Sequence, residues 1–243
     1  DSNKRPLPST LEALDALRKA GHFVTLATGR SRFLAESVIR ELQFENYILC
    51  NGAAGFFNHQ QVFKETLDQQ ALTTLIEVCQ ARGIDTAIVQ LDQSKRLSSF
   101  DLEKMQDAMT SFGSTASELG ELAHDDEVYQ ALAYYEKDCD PLFEGQHPAF
   151  NFVRWHEKCV DVIPANGSKA RTLLALAERL GIDRADIIGF GDGLNDREML
   201  RESGIGVAMG NASLLVQKEA DLVTKDHNHD GIWHALKELH LID

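Results

Sequence analysis

The stretch Ile187-Ile188-Gly189-Phe190-Gly191-Asp192-Gly193-Leu194-Asn195-Asp196 decides how this chain is read. Its first four residues are a short apolar run, the pattern of a fully buried strand. Two glycines then bracket Asp192 and free the backbone for a tight turn. Asn195 and Asp196 open the next helix, where both residue types also serve as caps. A buried strand, a tight turn and a short helix carrying Met199 and Leu200 make half of a βαβ unit.

The flanks repeat this grammar. Residues 168–180 read as an amphipathic helix, with Leu173, Leu174, Ala177 and Leu180 on one face and Gly181 as its stop. Residues 205–209 read as another strand, 221–224 as a last short one, and 232–239 as a terminal helix. The first fifty residues read helix, strand, helix, strand. Ser9-Thr10-Leu11-Glu12 fits a capping box, residues 23–27 form an apolar strand, and a helix follows with Phe33, Leu34, Val38, Ile39 and Leu42 on one face. Tyr47-Ile48-Leu49-Cys50 is the next strand. Such alternation implies a parallel sheet with helices on its faces.

The middle differs. A helix near 70–81 is followed by strand patterns at 84–91, 128–135, 151–155 and 159–163. Half of the aromatic residues lie between Phe100 and Trp155, which marks a separate core. The expected architecture is α/β: a Rossmann-like parallel-sheet core in three α/β/α layers, residues 1–67 and 162–243, interrupted by an α+β cap at 68–161.

Composition limits the function. The formal net charge is −14, which disfavours generic binding to nucleic acid or an anionic membrane. A small anionic substrate remains compatible, because a few basic groups or a metal can set the local field. Cys50, Cys79, Cys139 and Cys159 show no Cys-x-x-Cys spacing, so reduced thiols in a cytoplasmic protein are expected. No apolar run reaches transmembrane length.

In open α/β sheets, ligands bind beyond the carboxyl ends of the strands. Those ends carry Thr28-Gly29-Arg30, Asn51-Gly52, Gly191-Asp192-Gly193 and Gly210-Asn211. A threonine hydroxyl and backbone amides at a helix start can hold an anion. Lys169 sits at a helix N-terminus, where the dipole disfavours a cation unless it faces an anion. Asp192, with Asp196 close by, suits a hard divalent ion such as Mg2+. His227-Asn228-His229 is read as a polar loop rather than a metal site.

Thr28-Gly29-Arg30, Asn51-Gly52-Ala53, Gly167-Ser168-Lys169 and the 191–196 turn occur in the order and rough spacing of the haloacid dehalogenase superfamily. The chain resembles its Cof-type (subfamily IIB) phosphatases, whose C2-type mixed α/β cap lies between the second and third motifs. Residues 206–212 add to that likeness. The resemblance implies Mg2+-dependent hydrolysis of a small phosphate monoester, a sugar phosphate or related metabolite, through an aspartyl-phosphate intermediate. By motif, Thr28, Gly29 and Asn195 contact phosphate, Lys169 offsets charge on the nucleophile and phosphate, and Asp192 and Asp196 bind or orient the metal. Arg30 and Asn51 fall on the substrate side.

One motif of that family, Asp-x-Asp-Gly-Thr on an apolar strand, is absent from the sequence. Asp1-Ser2-Asn3-Lys4-Arg5 resembles the segment just after it. The expectation is that roughly ten residues upstream of Asp1 carry the nucleophile and the acid/base aspartate. A monomer or homodimer is expected. Two other readings stay open: a phosphomutase or phosphotransferase on the same scaffold, and a non-catalytic phosphate-binding protein.

Overall fold

The computed structural model describes residues 1–111 and 113–242. Helix α1 spans Pro8–Lys19 and starts ahead of the expected capping box. Pro8 at the first turn presets the helical φ and lacks the N–H that would need a cap. Ser9 instead donates its hydroxyl to Asp230 Oδ1 at 2.5 Å. Strand β1 is only Leu26–Ala27, shorter than the 23–27 run expected. Helix α2 (Arg32–Glu41) leads to β2 (Tyr47–Leu49), which pairs with β1 in parallel, Leu26 opposite Tyr47.

Strands β3 (Ala54–Phe57) and β4 (Gln60–Lys64) then extend this sheet as an antiparallel hairpin. Sequence patterning missed it. Its turn, Asn58-His59, contains no glycine, yet both residues adopt positive φ, 47° and 61°, as tight hairpin turns require.

The insertion has its own sheet. Helix α3 (Gln69–Gln80) is capped by Asp68, whose carboxylate accepts from the Ala71 N–H at 2.8 Å. Then follow β5 (Asp85–Val89), β6 (Ser94–Arg96), α4 (Leu102–Ser111), β7 (Gln130–Tyr134), β8 (Phe150–His156) and β9 (Cys159–Pro164). The order is β6-β5-β7-β9-β8, antiparallel throughout. Alternation splits its core between two faces. Ile88, Ala131 and Val160 cluster with Leu72, Leu75 and Ile76 of α3, whereas Ala87, Val89 and Leu132 cluster with Met105, Ala108 and Met109 of α4. The aromatic residues Tyr135, Phe143 and Phe150 are buried in the first cluster. This sheet runs on to Pro164, so the residue 161/162 division expected from sequence falls inside β9.

The parallel grammar then resumes. Helix α5 (Lys169–Leu180) is capped by Ser168 and ends at Gly181, φ 68°. Strands β10 (Ile188–Gly191), β11 (Ile205–Ala208) and β12 (Leu222–Val223) pair in parallel, with α6 (Arg197–Glu202), α7 (Leu214–Gln217) and α8 (Gly231–Glu238) completing the chain. Among the described residues β1 pairs only with β2, and β10 only with β11. Among the described residues no helix is long and apolar enough to cross a membrane.

Gly52 ties the two halves of the core together. Its φ is 102°, and a Cβ there would stand 2.1 Å from the Ser168 carbonyl oxygen. Its own carbonyl accepts a hydrogen bond from Thr172 Oγ1 at 2.5 Å. Gly52→Ala is therefore expected to cost at least about 3 kcal/mol, from a forbidden φ and a backbone clash together. The midpoint of urea denaturation measures it.

Candidate active site

The ends of β1 and β10 and the start of α5 open on one cavity of about 740 Å³. Thr28, Gly29, Arg30, Lys169, Asp192, Asn195 and Asp196 all line it. Thr28 and Asp196, 168 positions apart in sequence, thus line one cavity. Asn51 does not line this cavity but borders an adjoining cleft of about 540 Å³ together with Lys169 and Asn195.

A buried ion pair forms the floor. Lys169 Nζ lies 2.7 Å from Asp196 Oδ1, with the two side chains 5% and 9% exposed. The other oxygen of Asp196 accepts from the Asp192 and Gly193 amides at 3.0 and 2.9 Å. The turn closes so tightly that a Cβ on Gly191 would lie 2.4 Å from Asp196 Cβ. A lysine at a helix N-terminus opposes the dipole; Asp196 supplies the anion that such a placement needs. Asp192 itself is exposed at the end of β10. Asn211 Nδ2 holds its Oδ2 at 2.8 Å, and Asn211 Oδ1 accepts in turn from the His227 amide at 3.1 Å. His229 pairs with Asp226. No group of three metal-ligating side chains occurs among the described residues.

On the opposite wall, Thr28 Oγ1 accepts from the Arg30 amide at 3.2 Å, fixing the turn that follows β1. Burial lowers the pKa of the half-buried Arg30 guanidinium. Cys50 and Asn51 come next to this turn, the Cys50 amide bonding the Arg30 carbonyl at 2.9 Å. Both have left-handed backbones, φ 50° and 55°. Burial, and then the charge of Asp161, push the Cys50 thiol pKa far up.

Asp161 is the residue that sequence reading missed. It lies on β9 of the insertion, 8% exposed. Burial raises its pKa to about 7, against hydrogen bonds from Asn51 and Trp155 and the charge of Lys169. Asn51 Nδ2 donates to Asp161 Oδ2 at 2.8 Å and to Gln130 Oε1 at 3.1 Å, while Asn51 Oδ1 accepts from Asn195 Nδ2 at 2.8 Å. The available signal was a lone carboxylate in the apolar run Cys159-Val160-Asp161-Val162-Ile163, since a charge in a buried strand must have a partner. Val89, Met109, Leu132 and Trp155 of the insertion line the cavity beside it.

Two outcomes follow from these geometries. Lys169→Met leaves Asp196 as a buried, uncompensated carboxylate, so a loss of about 3–5 kcal/mol is expected in denaturant titration at neutral pH. Asp161 behaves oppositely with pH. Its folded pKa lies above the ordinary 3.8, so the folded state binds its proton more tightly than the unfolded state does. Its contribution to stability is full below pH 4 and is lost as pH rises through about 7. The stability of Asp161→Asn relative to the parent, measured by thermal unfolding, should therefore rise between pH 4 and pH 8.

Comparison with known proteins identifies the family and the fold. A family model described as haloacid dehalogenase-like hydrolase matches residues 1–236. The putative phosphatase YkrA of Bacillus subtilis is 33% identical over 243 residues, covering 100% of this chain and 94% of that protein. Pyridoxal phosphate phosphatase YbhA of Escherichia coli is 28% identical, covering 94% and 90%. Among solved structures, a hypothetical protein of Geobacillus kaustophilus HTA426 superposes with a TM-score of 0.91 at 35% identity, covering 100% and 94%. The subclass IIB sugar phosphatase BT4131 superposes at 0.87 with 27% identity, covering 100% and 95%. The chain belongs to the haloacid dehalogenase-like hydrolases, a family in which its relatives are named phosphatases and its structural neighbour BT4131 is of subclass IIB.

Proposed function

We propose that this phosphatase hydrolyses a small phosphate monoester, a sugar phosphate or related metabolite, with Mg2+ and through an aspartyl-phosphate intermediate. The observation that carries the reading is the gathering of Thr28, Lys169, Asp192, Asn195 and Asp196 around one cavity. Thr28 would donate its hydroxyl to a phosphoryl oxygen, with the Gly29 amide beside it. Gly29 must stay bare, because a Cβ there would lie 2.9 Å from Asn51 Oδ1. Lys169 commits one of its three N–H donors to Asp196 and keeps positive charge at the site, where phosphoryl transfer needs it. The Asn195 amide contacts phosphate, and Arg30 faces the substrate. The insertion, residues 68–161 with the remainder of β9, would select the leaving group through side chains such as Trp155.

The donor set fits a hard cation. Asp192 is an exposed carboxylate whose only side-chain hydrogen bond among the described residues comes from Asn211, which leaves it able to coordinate. Asp196 has both oxygens engaged, so it orients the turn that presents Asp192. When bound, Mg2+ would neutralise phosphoryl oxygens and align the attack.

On this reading the nucleophile and the acid/base aspartate would lie on a strand upstream of Asp1, seated between β1 and β10. The support is that both strands border the same cavity and each pairs on one side only among the described residues. An open edge facing another across such a slot is a ready site for strand addition. The nucleophile carboxylate would attack phosphorus, the P–O ester bond would break, and the leaving alcohol would take the proton of the second aspartic acid. Water would then cleave the acyl phosphate, returning that proton.

The test is phosphate release by the full-length chain from a panel of sugar phosphates and pyridoxal phosphate, with and without Mg2+. Turnover that requires Mg2+ is expected, with kcat at least about 100-fold lower in Asp192→Ala. Transfer to a second sugar without phosphate release would favour a mutase. Undiminished Mg2+-dependent turnover in Asp192→Ala would refute the metal assignment.

A further inference from the structure

We infer that Asp161 is a positioning residue for the phosphate site, fixing through Asn51 which atom of the Asn195 amide faces inward. The inference rests on the phosphatase reading above for the importance of Asn195, but its geometry stands by itself. Three side chains lie in series: Asp161 on β9 of the insertion, Asn51 after β2 of the core, and Asn195 on the turn after β10.

The argument is one of hydrogen-bond polarity. Above pH about 7 Asp161 is ionised and only accepts, whereas an amide presents a donor at one end and an acceptor at the other. Asp161 therefore obliges Asn51 to turn Nδ2 toward it, at 2.8 Å. That leaves Asn51 Oδ1 facing the core, where it accepts from Asn195 Nδ2 at 2.8 Å. The Asn195 amide is thereby fixed as well. Its Oδ1 rests against its own turn, where a Cβ on Gly193 would come within 2.6 Å. Its Nδ2 points across the site and keeps its second N–H for a phosphoryl oxygen. Gln130, the other partner of Asn51, is itself an amide and can turn either way, so it adds a bond but no polarity. Among the described partners of Asn51, Asp161 alone breaks the symmetry of the chain of amides.

Two further observations support a positioning role over simple packing. Asn51 holds a left-handed backbone, φ 55° and ψ 27°, at 2% exposure. A non-glycine residue keeps such a conformation where its surroundings over-determine it. A charge so deeply buried is also poor economy for a fold that needed only to pack β9. In this arrangement the alignment of a core amide depends on a carboxylate that the insertion carries, so the insertion must sit on the core for Asn195 to point correctly.

The test is a polarity swap in the full-length protein. Asp161→Asn substitutes a group that can face either way, and kcat should fall about tenfold while KM changes less than about threefold. Asn51→Asp alone sets two carboxylates against each other and should lower kcat further. The double variant Asp161→Asn with Asn51→Asp restores a sole acceptor facing Asn195, now supplied from position 51, and should recover kcat to within about threefold of the parent. Thermal unfolding confirms that each variant is folded. Unchanged kcat in Asp161→Asn overturns the inference. So does a folded double variant no more active than Asp161→Asn. The side-chain amide NMR resonance of Asn195 reads the same relay without turnover: it should shift in Asp161→Asn and return in the double variant. A parent protein that releases no phosphate would sink the phosphatase reading, while that resonance still decides the relay.

Discussion

The ion pair between Lys169 and Asp196 is the constraint from which the rest of the site follows. Removing two charges from water costs several kcal/mol per ion in effective terms, and only close, fully bonded geometry offsets that. Here the offset is complete: Lys169 takes one oxygen of Asp196, and two backbone amides take the other. Those amides belong to Asp192 and Gly193, so the pair fixes the turn itself. It also binds the N-terminus of α5 to the end of β10, two elements that the insertion does not touch in sequence. The phosphoryl-transfer site proposed above would work by fixed charges more than by covalent chemistry, and this cavity is fixed by a contact that also closes the core.

A second polar layer lies on the first. Asn51 stands between the insertion and the core, with Asp161 and Gln130 on one side and Asn195 on the other. Gly29 and Gly52 allow it to do so, since side chains at either would collide with Asn51 or with the Ser168 backbone. The glycines of these motifs therefore serve close approach between segments as much as local turning. Such a network is worth its burial only when every member is satisfied.

The parallel-sheet grammar was legible because the apolar runs of β1, β2, β10 and β11 end in glycine and polar residues. So were Thr28, Lys169, Asp192 and Asp196, each at a strand or helix end where ligands bind. Other features were hidden for physical reasons. The β3–β4 hairpin turns on Asn58-His59, a pair without the usual glycine. Strand β1 has only two residues and, among the described residues, pairs along one edge only, and apolar patterning cannot report pairing. Helix α1 begins at Pro8, where fixed φ replaced the expected side-chain cap. Asp161 was passed over because strand periodicity describes its neighbours and says nothing of the partner that reaches it from 110 residues away.

Cys50 lies immediately beside these polar groups, and its surroundings have a chemical consequence. The thiol is fully buried, and burial and the neighbouring carboxylate both oppose its ionisation. Oxidants and electrophiles react with thiolates. A sulfur kept as its neutral thiol next to the Thr28 turn gives peroxide or alkylating agents little to attack. The sulfur within this wall is insulated from the redox state of its surroundings.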